Sequence, residues 1–189
     1  MKNYLVKDLM VPISEYAAVP VGTSLLDAIR VLERAQDAYT ISKYQHRAIL
    51  VLDPAGQVIG KISQLRALKA IEGEHEFDDE IAEMRKFKFS EAYIAQLRDR
   101  FRSRKKIIED ATLREAAGKK VEEFMQTPTP GEYVSEDCGL DTAIHKLVAG
   151  THLSLLVTRK QEIVGILRIS DVFAAVFHEM ASLDYKATI

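Results

Sequence analysis

The sequence predicts an α+β fold: two copies of a β-α-β-β-α unit with a helical insert between them. Three observations predict it. A set of residues recurs at a nearly constant offset, period-2 and period-3.6 apolar patterns alternate inside each copy, and a charge-rich helical stretch lies between the copies.

The recurrence begins with Val6-Lys7-Asp8-Leu9-Met10, which aligns with Val121-Glu122-Glu123-Phe124-Met125 at an offset of 115. The same offset carries Val19 to Val134, Leu25 to Leu140, Ile29 to Ile144 and Leu32 to Leu147. His46 then aligns with His152 at 106 and Gly60 with Gly165 at 105, because the first copy holds extra residues between Gln36 and Gln45. The chain divides into 1–72, 73–118 and 119–189.

In each copy a short strand, over 18–21 or at Tyr133-Val134, leads to a helix with Leu25, Ile29 and Leu32, or Leu140, Ile144 and Leu147, on its apolar face. Ser24 to Asp27 reads as a capping box, and Asp137 as the second copy's N-cap. Apolar runs over 48–52 and 58–62, joined by Asp53-Pro54-Ala55-Gly56, read as strand, turn, strand; 154–158 and 163–167 repeat them. A closing helix points Leu65, Leu68 and Ile71 inward in one copy, and Val172, Val176 and Met180 in the other. One unit of about 60 residues is marginal alone, so the two pack sheet to sheet. In the insert, Ile81, Met84 and Phe87 form one amphipathic stretch. Ser90 caps a longer helix carrying Ile94, Leu97, Phe101 and Ile108, and Leu113 with Ala116-Ala117 marks a third.

Composition narrows the function. A net charge of −2 argues against a whole-surface field for nucleic acid or anionic membrane, and the lone Cys138 excludes an intramolecular disulfide framework. No apolar run approaches the roughly 20 residues of a membrane span, and the start lacks a signal-peptide core, so a cytoplasmic, non-membrane protein is expected. No nucleophile elbow, P-loop, zinc motif or paired-carboxylate arrangement appears, so an enzyme is not expected. The run Arg98 to Lys106 is the densest basic patch, with Arg98, Arg102 and Lys105 on one helical stripe. A solvated face is its ordinary reading; a contact for nucleic acid, an acidic partner or ligand phosphates is the sharper one.

The stretch from Ile163 to Phe173 reads as a buried strand running straight into a helix, and Val58 to Leu68 echoes it. Such a junction aims backbone N–H groups and the helix dipole at one spot, which suits an anion. The lead-in Val-x-x-Leu/Phe-Met, the Met10-Val11-Pro12 loop, the paired strands and this junction together resemble a tandem pair of CBS domains, or Bateman module, over about 3–72 and 119–182.

That resemblance implies two repeats related by a pseudo-twofold axis, pairing of modules into a homodimer, and an adenosine-containing ligand (AMP, ADP, ATP or S-adenosylmethionine) in clefts between the repeats. It implies a regulatory role toward an unknown effector protein and no required cofactor. The family pattern Gly-x-x-[Ser/Thr]-x-x-[Asp/Asn] is split here. The first copy has Gly60 and Ser63 but Arg66 at the acid position; the second has Gly165 and Asp171 but Arg168 at the hydroxyl position, followed by Ser170. The second junction is therefore the better site, with Asp171 for the ribose and the Arg168 fork for phosphate. By position the resemblance adds Gln126, Thr127, Pro128, Tyr133, His152 and Leu153, with Val11, Ile13, Tyr16, His46 and Arg47 as first-copy equivalents. The structural alternative makes Arg168 an exposed strand-end residue, Asp171 or Ser170 a helix cap, and Arg66 a solvated first-turn residue. His46 and His152 at matching positions fit a shared packing role better than a metal site. The alternative function is a ligand-free dimeric scaffold whose insert binds a protein or nucleic acid.

Overall fold

The computed structural model describes residues 4–38, 47–73, 78–104 and 106–186. The first repeat contains β1 (Val11–Pro12), β2 (Ala18–Pro20), α1 (Leu25–Ala38), β3 (Ala48–Leu52), β4 (Val58–Ser63) and α2 (Gln64–Glu72). The insert follows as α3 (Asp78–Lys86), α4 (Glu91–Arg104) and α5 (Asp110–Gly118). The second repeat comprises α6 (Val121–Phe124), β5 (Tyr133–Ser135), α7 (Leu140–Ala149), β6 (Ser154–Arg159), β7 (Glu162–Arg168) and α8 (Ile169–Lys186). The expected α+β class and the strand pairs of both repeats are present.

In one sheet β2 runs parallel to β3 and β3 antiparallel to β4; in the other β5, β6 and β7 repeat this order. The second sheet gains a fourth strand from the first copy. Val11 and Pro12, read from sequence as a loop, pair antiparallel with Ile166 and Gly165. Behind this pairing lies a reciprocal exchange of lead-ins. The Val6 and Lys7 N–H groups donate to the Cys138 and Glu136 carbonyls, and the Leu140 N–H donates to Tyr4. In mirror fashion the Val121 N–H donates to Thr23, the Leu25 N–H donates to Lys119, and Lys61 and Gln126 exchange two backbone bonds of 3.0 and 2.9 Å. Each lead-in thus supplies partners for the N–H groups that would be orphaned at the start of the other repeat's helix. This is why α7 begins after Gly139, with no side-chain cap, instead of being capped by Asp137. Asp137 pairs with Lys7 of the incoming lead-in. Ser24 does cap α1 as expected, its Oγ accepting the Asp27 N–H.

The exchange also divides the core. Val121 and Phe124 pack with Val19, Leu25, Ile49, Val51 and Ile62 of the first repeat, while Val6 packs with Val134, Leu147, Leu155 and Leu167 of the second. Between the sheets sits a third cluster of Val11, Tyr16, Ala48, Leu50, Leu156 and Ile166. Gly60 and Gly165 belong to this packing. A Cβ on Gly60 would stand 2.4 Å from Met125 Sδ, and one on Gly165 would stand 2.7 Å from the Val11 carbonyl oxygen. Both glycines make room for the opposite lead-in.

Ile71, Val172 and Val176 pack inward as expected, but three residues expected beside them point outward. Leu65, Leu68 and Met180 are 63, 62 and 63% exposed. On α2 it is Ala67, Ala70 and Ile71 that pack inward, and on α8 Val172, Ala175 and Val176. Each helix follows its strand without a loop, so the strand end sets its rotation and small residues meet the core. In the insert, Ile81 and Ile94 form a small core of their own with Met84 and Leu97, and Ser90 Oγ accepts the Tyr93 N–H at the start of α4. Phe87 is 77% exposed and Ile108, beyond the end of α4, is exposed as well, contrary to the amphipathic reading. Helix α5 belongs with the first repeat: Ala116 enters that core, and Lys119 Nζ donates to the Ala70 carbonyl.

Gly165→Ala is expected to destabilise the chain by about 1–3 kcal/mol, because a backbone oxygen must shift. Gly60→Ala should cost less, because the flexible Met125 side chain can yield. Urea titrations of the two variants check the order, and equal or reversed losses contradict it.

Candidate functional site

The two strand-to-helix junctions are built on one plan and finished differently. At the first, Ser63 Oγ accepts the Arg66 N–H and so caps α2. At the second, Arg168 occupies the equivalent place and its guanidinium forks onto Asp171, Nε to Oδ2 at 2.5 Å and Nη2 to Oδ1 at 2.8 Å. Arg168 is buried, not an exposed strand-end residue. A carboxylate one turn into α8 suits the positive helix end, and the planar fork fits it bidentately. The leading N–H of each helix is also engaged, Gln64 with the Arg47 carbonyl at 3.3 Å and Ile169 with the Leu153 carbonyl at 3.0 Å. The expected open row of N–H groups is therefore partly closed by the chain itself.

The two junctions open on one cleft of about 430 Å³ between the repeats. First-repeat residues in its lining include Tyr16, Arg47, Ala48, Lys61 and Ser63; Gln126, Glu132, His152, Leu153 and Arg168 come from the second. Tyr16 is buried, hydrogen-bonds the backbone at Ala48 and shares the cleft with Arg168. Burial pushes this phenol up to about 12, against the opposing pull of Arg168, so it stays a protonated donor at neutral pH.

Opposite lies a buried charged pair. Glu132 is fully buried; its Oε1 accepts from Gln126 Nε2 at 3.0 Å and from the Thr129 N–H at 3.2 Å. Its Oε2 pairs with the Lys61 ammonium on β4, across the repeat boundary. Burial raises the Glu132 pKa, but the Lys61 hydrogen bond, the Thr129 N–H and the charges of Lys61 and His152 outweigh it, and the net direction is downward from 4.5. The His152 ring lies over Gly150, where a Cβ would stand 2.0 Å from Nε2.

Of the residues singled out from sequence, Tyr16, Arg47, Ser63, Gln126, His152, Leu153, Arg168 and Ser170 line the cleft, and Asp171 stands behind Arg168. Gly165 is buried under Met10 and Val11, while Ile13 and Tyr133 pack beside the inter-sheet cluster. Arg66, Thr127 and Pro128 are not among the lining residues. His46 and Lys105 lie outside the described residues, as do the side chains of Phe101 and Arg102. Sequence reasoning missed Lys61 and Glu132. Their signal was present in the repeat alignment: Lys61 stands where the second copy has Ile166, and Glu132 where the first has Ala17. Among the described residues no group of three His, Cys, Asp or Glu is placed to hold a metal ion, and no helix is long and apolar enough to cross a membrane.

The family model for the CBS domain matches residues 6–73 and 121–178, two thirds of the chain and both repeats. The chain belongs to the CBS-domain family. The chain is also similar in fold to solved structures. A putative acetoin utilization protein (AcuB) from Vibrio cholerae is 18% identical, with 98% of each chain covered and a TM-score of 0.58. CBSX2, solved in complex with AMP, is 18% identical over 94% of this chain and 98% of its own, at a TM-score of 0.56. The cytosolic domain of the Mg2+ channel MgtE, solved in complex with ATP, is 20% identical over 88% of this chain and 46% of its own, at 0.51. At these identities the likeness is one of fold. No curated protein matches the chain.

Removing one partner of the cross-repeat pair is expected to be costly. Lys61→Met leaves Glu132 buried without its cation and should lower stability by about 3–5 kcal/mol at neutral pH. Glu132→Gln added to it should recover part of that loss. Because the folded pKa of Glu132 lies below the unfolded one, the pair stabilises above about pH 4.5, and its contribution is lost as pH falls through the folded value. The deficit of Lys61→Met against the unmodified chain should therefore shrink in acid. Denaturant titrations at neutral and acid pH measure this; a deficit that grows on acidification contradicts it.

Proposed function

We propose that the chain is a regulatory sensor, not an enzyme, whose inter-repeat cleft takes an adenosine-containing ligand of the AMP, ADP or ATP class or S-adenosylmethionine. The observation that carries this is the lining of the cleft. It brings the cations Arg47, Lys61 and Arg168 together with the apolar or aromatic surfaces of Tyr16, Ala48, Leu65 and Leu153. A nucleotide needs both, an electropositive end for phosphate and an apolar slot for the base. The complexes of CBSX2 with AMP and of the MgtE cytosolic domain with ATP support the same reading.

The Arg168–Asp171 pair then acts as an exchangeable contact. Ligand phosphate draws the guanidinium, and the released carboxylate accepts from the ribose hydroxyls. Since Tyr16 and Lys61 come from one repeat and Arg168 and Glu132 from the other, occupancy favours one relative pose of the repeats. It signals to an effector protein only as far as its affinities for the two poses differ. The outward faces of α2 and α8, with Leu68, Phe173, Phe177 and Met180 exposed, take a second copy of the chain as a homodimer.

A ligand-free scaffold is the second reading. It is favoured by the fact that Arg168 with Asp171 and Lys61 with Glu132 neutralise each other unaided.

A nucleotide at 100 times its Kd is expected to add about 2.7 kcal/mol and to raise the melting temperature by roughly 5–10 °C. Arg168→Ala should abolish that rise. A flat melting temperature across AMP, ADP, ATP, NAD and S-adenosylmethionine favours the scaffold. For the dimer, Phe173→Glu with Phe177→Glu should halve the mass seen by light scattering; an unchanged dimer places the interface elsewhere.

A further inference from the structure

Helices α3 and α4 form a hairpin with its own small core, closed by a turn whose chemistry serves neither the cleft nor the core. Arg85 forks onto Glu91 across the turn and fixes the two helices. The Phe87, Lys88 and Phe89 N–H groups donate to Glu83, Arg85 and Met84, so the tip backbone is ordered by its own bonds. Lys88 holds the left-handed position, φ 60°, that glycine fills without steric cost. At this tip Lys86-Phe87-Lys88-Phe89 alternates cation and aromatic ring, all four side chains exposed. Phe89 stacks on Tyr93 of α4, ring centroids 5.5 Å apart with 22° between planes, and both rings remain partly open to solvent.

Charge is segregated onto the same element. Residues 85–104 hold seven Arg or Lys against Glu91 and Asp99, a surplus of five in a chain of net −2, so the remainder carries −7. An anionic partner is drawn here and repelled elsewhere. Tyr93 and Arg100, seven residues or two turns apart, share one face of α4, which continues the cationic and aromatic pattern of the tip along the helix.

A lipid surface and a polynucleotide are both anionic, and α4 separates them. A helix that lies in a bilayer interface needs a broad apolar face. Among the described side chains of α4, the buried and partly buried apolar ones are Ile94 and Leu97, already used against Ile81 and Met84 of α3. A single strand of nucleic acid asks for cations along its backbone and open aromatic faces for its bases. We propose that the hairpin tip and the exposed face of α4 bind single-stranded nucleic acid, with bases stacking on Phe87 and the Phe89–Tyr93 pair and phosphates on Lys86, Lys88 and Arg100. No residue of the cleft takes part, so this site stands or falls apart from the nucleotide reading.

The test is fluorescence anisotropy of a labelled oligouridylate and a labelled oligothymidylate against the whole chain. Phosphatidylserine-containing vesicles are assayed in parallel by flotation. Binding of at least one oligonucleotide is expected, with Phe89→Ala weakening it roughly tenfold or more. Lys86→Ala with Lys88→Ala should reduce the slope of log affinity on log salt by about 1.4. Phe89→Trp should retain affinity and Phe89→Leu should not, which separates stacking from simple apolar contact; circular dichroism confirms that these exposed variants stay folded. Binding that survives Phe89→Leu with Tyr93→Leu overturns the proposal. So does binding to vesicles without binding to either oligonucleotide, or binding to neither.

Discussion

The exchange of lead-in segments is the contact on which the rest of this structure depends. Neither repeat holds all the residues of its own core: Val121 and Phe124 complete the first, and Val6 completes the second. The same exchange caps α1 and α7 with backbone carbonyls, adds β1 to the second sheet, and requires glycine at 60 and 165. It also delivers Gln126, Glu132 and Tyr16 to the cleft, because each of these lies just downstream of a crossing segment. Fold and site are consequences of one interdigitation, in which backbone pairing and apolar burial reinforce each other.

Within that symmetric frame the polar groups are deliberately unequal. A duplicated fold offers two equivalent positions for every side chain, and at the cleft the pairs differ: Lys61 against Ile166, Glu132 against Ala17, Ser63 against Arg168, Arg66 against Asp171. One charge at a buried position demands a partner nearby, which is why the substitutions come in matched sets. Lys61 is answered by Glu132 and Arg168 by Asp171. The apolar counterparts Ile166 and Ala17 stay in the core.

The three strands of each repeat were legible in the sequence nearly to the residue, because apolar runs such as 48–52 are bounded by clear turn residues and occur twice, whereas β1, whose partner lies 155 residues away, read as a loop. What was not legible depends on contacts between distant parts of the chain. Leu65 and Leu68 looked like core residues, but rotation of α2 is set by the strand it leaves and by α5 packing beside Ala70 and Ala116. Asp137 looked like a cap because the sequence cannot show a carbonyl arriving from Tyr4. The site was half legible. Arg168, Asp171, Tyr16 and His152 were reached through the family resemblance, whereas Lys61 and Glu132 needed a different question: which residues break the repeat with a charge.

The crossing also sets a timetable for synthesis. Val11 pairs with Ile166, and no earlier partner exists for it on that sheet edge. At ribosomal speeds of about 5–20 residues per second, that strand waits roughly 8–30 s for its mate to be made. Phe124 reaches the first repeat much sooner, and the α3–α4 hairpin, closed by neighbours in sequence, sooner still. The nascent chain therefore carries the segment around Val11 uncovered until β7 emerges, and that strand is the one that retires it.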